Sequence, residues 1–165
     1  MKTKLTIGSV LLAALVAISI SVSPHRIGPA YLYPTVGGSL NPNVTQDNIH
    51  STICVSGWTS TIRPPVSYTN KLKLQQLNGK GNPADYEEDH FYPLEIGGDP
   101  TSPDNLWPEA YNAGARQKDI VETFLNHQVC SGNLTLASAQ AIILKDWYAA
   151  YLDIKGTPVP SQTDD

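Results

Sequence analysis

Asp89-His90, preceded by Glu87 and Glu88, is the part of this sequence best equipped for chemistry. A carboxylate holds a hard divalent ion through oxygen, and an imidazole takes a proton from water near neutral pH. Neighbours on a strand face opposite sides, so the pair predicts a strand end that presents each group differently. Gly97-Gly98, a loop bearing Pro100 and Pro103, and then Asn105-Leu106 follow. These predict a return strand whose Asn105 amide hydrogen-bonds across the loop and fixes His90. His25, His50 and His127 lack such a context and read as ordinary.

The elements that must position this segment are legible in outline. Thr52-Ile53-Cys54-Val55 and Ser60-Thr61-Ile62-Arg63 read as short β-like runs separated by Gly57-Trp58, the second ended by Pro64-Pro65. Ser67 to Leu77 predicts a short helix, and Asn78 to Pro83 a loop. Ile120, Val121, Phe124, Leu125 and Val129 recur at helical spacing and predict a helix over Ala113 to Val129. Thr135 is placed to cap a second one, which runs to about Leu152 through Leu136, Ala139, Ile142, Ile143, Trp147, Ala150 and Tyr151. These apolar stripes are core.

A length of 165 residues gives one domain with terminal extras. With 41% apolar and 16% charged residues the chain is neither a solvated disordered tail nor a coiled coil. A net charge of −4 excludes recognition of nucleic acid by bulk positive charge, so phosphate binding would need a few placed cations or a metal. Lys2 and Lys4, followed by an uncharged run from Leu5 to Val22, predict a secretory signal peptide over 1–21. An uncleaved anchor is the competing reading; cleavage is preferred because no strong basic flank follows. The body is then secreted or periplasmic, without stable membrane association. In that oxidising setting Cys54 and Cys130 predict a disulfide. We read residues 22–50 as an irregular linker, 51–155 as the functional domain and 156–165 as a flexible tail.

The string Asp89-His90-x-x-Pro93-Leu94-x-x-Gly97-Gly98, followed by Asn105-Leu106 and a helix containing Lys118, resembles the HNH endonuclease motif. The resemblance runs from Glu88 to about Glu122; the flanks, Thr52 to Trp58 and Val129 to Gly132, are similar to small exported bacterial HNH-type proteins. It implies an α+β chain: a ββα-metal core, a short N-terminal β/helix segment and two C-terminal helices. It implies a nuclease domain in which His90 is the general base, Asp89 a metal ligand and Asn105 the residue that orients the loop and His90. The family's helix ligand has no counterpart at Ala113-Gly114-Ala115. Asp119 is the preferred substitute, with Glu122 and Asn112 as alternatives. Lys118 or Arg116, and Arg63, are the expected phosphate cations. The implied cofactor is Mg²⁺, with Mn²⁺, Zn²⁺ or Ca²⁺ as alternatives, and the implied partner is nucleic acid, DNA or RNA, bound without sequence preference. Two other readings are a non-catalytic secreted binding module on a degenerate HNH scaffold and a Ca²⁺-binding surface protein using Glu87, Glu88 and Asp89. The last lacks EF-hand spacing and ranks third.

Overall fold

A computed structural model describes residues 32–34 and 36–155. The expected signal peptide and C-terminal tail lie outside the described residues. The chain is α+β: four helices surround a single two-stranded antiparallel sheet among the described residues. Strand β1, Tyr86–His90, and strand β2, Leu106–Ala110, pair in register, with Glu87 opposite Glu109, Asp89 opposite Trp107 and His90 opposite Leu106. None of the helices in the described part is long and apolar enough to cross a membrane.

The first β-like runs are not strands. Thr52 to Val55 is a series of turns, and Ser60 to Ile62 belongs to a short helix, α1, Trp58–Ile62. Their backbone groups bond locally: Cys54 N–H to Ile49 O at 2.9 Å, Val55 N–H to Thr52 O at 2.8 Å and Arg63 N–H to Thr59 O at 3.0 Å. Among the described residues no neighbouring strand offers a ladder here, and the β preference of branched residues is too weak to act without one. Pro64-Pro65 then starts α2, Val66–Leu77, which ends at Asn78 in the left-handed region, φ 47°. Helix α2 lies against the hairpin, where Lys73 Nζ donates to Tyr86 O (2.7 Å) and Gln76 Nε2 to Leu106 O (2.9 Å).

The described part of the 22–50 stretch is irregular up to a 3-10 helix at Gln46–Ser51, and it is no linker. Leu32, Val44 and Ile49 are buried in the core. Gly38 N–H reaches Asp104 O, Asn41 N–H reaches Gly97 O and Asp99 N–H reaches Ser39 O, all at 2.8–3.0 Å. These bonds tie the stretch to the loop between the strands, because a chain that buries apolar side chains must also satisfy the polar backbone between them.

Helix α3, Arg116–Cys130, begins three residues later than expected. Gly114 has φ 131°, and a Cβ there would meet Leu32 and Trp147 at 3.0 Å. The helix cannot propagate back through it. Helix α4, Leu136–Lys155, packs against α3 and is capped by Thr135 Oγ1, which accepts from Ser138 N–H at 3.1 Å. It breaks at Asp146, whose backbone is extended and whose Oδ1 accepts from Ala149 N–H and Tyr33 Oη–H. Val121, Leu125 and Val129 of α3 meet Ile143 and Trp147 of α4 in the core, while Phe124 is exposed.

Cys54 and Cys130 form a disulfide between the N-terminal turns and the last residue of α3. Linking positions 76 apart removes about 4–5 kcal/mol of loop-closure entropy from the unfolded chain. The double variant Cys54→Ala/Cys130→Ala is expected to lose ~3–5 kcal/mol of unfolding free energy in a denaturant titration; an unchanged midpoint and slope would contradict this role.

Candidate active site

A chain of hydrogen bonds runs from the N-terminal stretch to His90. Asn105, wholly buried, accepts at Oδ1 from Tyr92 N–H (2.8 Å) and Ser39 N–H (3.4 Å). Its Nδ2 donates to Tyr92 O (3.0 Å) and Asp99 O (2.9 Å). Gly98 closes the same loop so tightly that a Cβ would fall 1.7 Å from Tyr92 O. Asp99 Oδ1 accepts from Thr101 and Ser102 N–H, which fixes the intervening Pro100 carbonyl. That carbonyl lies 3.0 Å from His90 Nε2. A carbonyl only accepts, so Nε2 carries the proton and the lone pair is on Nδ1. His90 is 3% exposed. Burial and, less strongly, the Arg63 charge hold its pKa below the usual histidine value, against the opposing pull of Pro100 O and Asp89. The imidazole is therefore neutral at neutral pH.

Strand alternation puts Glu88 and His90 on one face of the hairpin and Glu87, Asp89 and Glu109 on the other. Helix α3 covers the acidic face with Lys118, which is wholly buried. Its ammonium donates to Asp89 Oδ2 and Glu122 Oε1, each at 2.5 Å, and to His90 O at 2.8 Å. All three ammonium donors are used. Lys118 is thus not the phosphate cation expected from sequence: it is an internal counter-charge with no access to a ligand. Burial opposes its charge, but Asp89, Glu122 and Glu109 more than offset that and raise its pKa. Burial is the largest influence on Asp89 and works against its charge, but Lys118 and the Glu109 hydrogen bond together outweigh it, leaving Asp89 below the ordinary carboxylate value.

The remaining acids of this face are less well compensated. One carboxylate oxygen from each of Glu87, Asp89 and Glu109 falls within 4.8 Å of the others. Glu109 is 1% exposed, and neither of its oxygens has a donor. Its neighbour is the Asp89 carboxyl, and two carboxyls share a hydrogen bond only when one holds a proton. Burial, followed by Asp89, pushes Glu109 well up. Burial also raises Glu87, to about 7, with the Asp89 charge second. These donors are all oxygen, which suits Mg²⁺, Mn²⁺ or Ca²⁺ and offers Zn²⁺ none of the nitrogen or sulfur it favours.

Asp119 sits apart from this trio. It is half-exposed and 3.7 Å from Arg116, itself stacked over the Tyr111 ring. It is close enough to Asp89 for the two charges to repel. Glu122 is committed to Lys118, and Asn112 is exposed. Arg63 is exposed, at the end of α1, within electrostatic reach of His90 and Glu95. Sequence reasoning missed Pro100 and Glu109. The Glu87–Asp89 spacing of two is visible in a strand, but Glu109 joins it only once the register across a loop of irregular conformation is known.

The raised carboxyls set the pH response. Glu87 and Glu88 titrate in the fold near 7 and 8 against an ordinary 4.5, burial being the main cause. The stability they contribute is complete below 4.5 and is lost as pH rises through those values. Glu109 and Glu122 act in the same direction. His90 opposes them, its share being present above 6.5 and lost on acidification. The raised carboxyls outnumber that one imidazole. In chelator-treated buffer Tm is expected to fall from about pH 5 to about pH 8; a rising Tm would contradict these environments. Comparisons with protein-family models, curated proteins and solved structures find no match to this chain.

Proposed function

We propose that this chain is an exported, divalent-cation-dependent endonuclease of the HNH type, acting on DNA or RNA. The observation that supports the reading is the Pro100 carbonyl, which assigns the His90 proton to Nε2 and leaves the Nδ1 lone pair without a partner among the described residues. Nδ1 takes a proton from a water whose oxygen bonds to the phosphorus of a phosphodiester, and the bond from phosphorus to the 3′ oxygen breaks. Asn105 holds His90 through the loop. Asp89, next in the chain, belongs to the acidic face that would hold the cation. When bound, such an ion supplies charge stabilisation at the phosphate and at the leaving oxygen. Arg63 and Arg116, both exposed, provide phosphate contacts that the net charge of −4 keeps weak, salt-sensitive and indifferent to sequence. Export rests on the apolar N-terminus, and the Cys54–Cys130 disulfide suits an oxidising compartment.

A second reading, a non-catalytic secreted binding module on the same scaffold, is favoured by one observation. The Lys118 ammonium fills the gap between Asp89 and Glu122, and so engages one of the helix acids that could have completed a metal site. Purified protein with plasmid DNA and Mg²⁺ or Mn²⁺ separates the two. The nuclease reading expects nicking that falls by roughly 10²–10⁴ in His90→Ala. Failure with every divalent ion supports the binding module, and equal cutting by the variant removes His90 from the chemistry.

A further inference from the structure

We infer that Glu87, Asp89 and Glu109 bind one hard divalent cation on the hairpin face, with the Lys118 ammonium as a fixed second positive charge beside it. The ligands come from the two strands and not from α3. Glu87 and Glu109 are register partners, and Asp89 lies two residues along on the same face, so the pleat itself converges three carboxylates. Asp89 faces both cations, since its Oδ2 accepts from Lys118 and one of its oxygens lies within 4.8 Å of the Glu87 and Glu109 carboxylates.

Two observations distinguish this site from an ordinary acidic patch. Glu109 is 1% exposed with both oxygens lacking donors, and one oxygen of Glu87 is buried in the same condition. Lys118 cannot relieve them, because its three donors already go to Asp89, Glu122 and His90 O. Four carboxyls thus share one ammonium, and a divalent ion would largely neutralise the group. The helix acids are otherwise engaged, Asp119 with Arg116 and Glu122 with Lys118. With three protein oxygens, waters complete a six- to eight-coordinate shell, which suits Ca²⁺ or Mn²⁺.

This refines the cation invoked by the nuclease reading, and its test does not depend on cleavage. Trp107 stands directly opposite Asp89 in the sheet and is placed to sensitise bound Tb³⁺. Excitation of tryptophan should give saturable Tb³⁺ luminescence that Ca²⁺ and Mn²⁺ displace and that Trp107→Phe removes. Glu109→Gln should weaken Tb³⁺ binding by roughly tenfold or more. That variant replaces a buried carboxyl by a neutral amide of the same shape, so its Tm should hold, which separates lost binding from lost fold. Asp119→Asn should bind as the wild type does. Unchanged binding in Glu109→Gln, loss in Asp119→Asn, or no sensitised signal in the wild type would overturn the assignment. Tb³⁺ binding without plasmid cleavage would leave the cation site standing and remove the nuclease reading; cleavage indifferent to Glu109→Gln would do the reverse.

Discussion

One buried ammonium among carboxylates organises the centre of this molecule. Taking Lys118 out of water costs several kcal/mol, and only close, fully hydrogen-bonded partners offset such a cost. Asp89 supplies the charge, and Glu122 and His90 O take the other two donors. One side chain therefore ties α3 to the end of β1 at Asp89 and His90. The price is paid on the neighbouring positions. With Lys118 saturated, Glu109 is left buried without a donor, and the acidic face has an unmet demand for positive charge.

On the opposite side His90 and its loop are held by hydrogen bonds to backbone groups instead. Asn105 bonds to Tyr92 and Asp99 and carries the N-terminal stretch at Ser39. Asp99 in turn braces the segment that delivers the Pro100 carbonyl to His90. The imidazole is held by backbone rather than by a carboxylate, so it keeps one defined tautomer without gaining charge. The hairpin thus separates a neutral, oriented imidazole from a cluster of carboxyls by one residue of strand.

The helical part of the fold was legible because its signals are local and periodic. Val121, Leu125 and Val129, and Leu136, Ala139, Ile143 and Trp147, mark the buried stripes of α3 and α4, and Thr135 marks a helix start. Two cysteines in a chain read from its N-terminus as exported were enough to pair Cys54 with Cys130. Thr52 to Val55 misled because β-branched residues express strand preference only beside a partner, and none of the described residues provides one there. Leu32 and Val44 escaped notice because an irregular segment that packs through isolated apolar residues has no period to read.

The site divides along the same line. Asp89, His90 and Asn105 could be picked out from spacing, whereas the environment of each depends on contacts far apart in sequence. Lys118 read as a surface cation because nothing in its helix announces that the hairpin acids lie over it. Glu122, four residues on, was a hint of a local pair, but such pairs are equally common in solvent. Denaturant unfolding of Lys118→Met at pH 8 and at pH 5 tests the central role of that ammonium most directly. The account predicts a loss of about 3–5 kcal/mol at pH 8, partly recovered at pH 5 as the orphaned carboxyls take up protons. A variant as stable as the wild type at both pH values would contradict it.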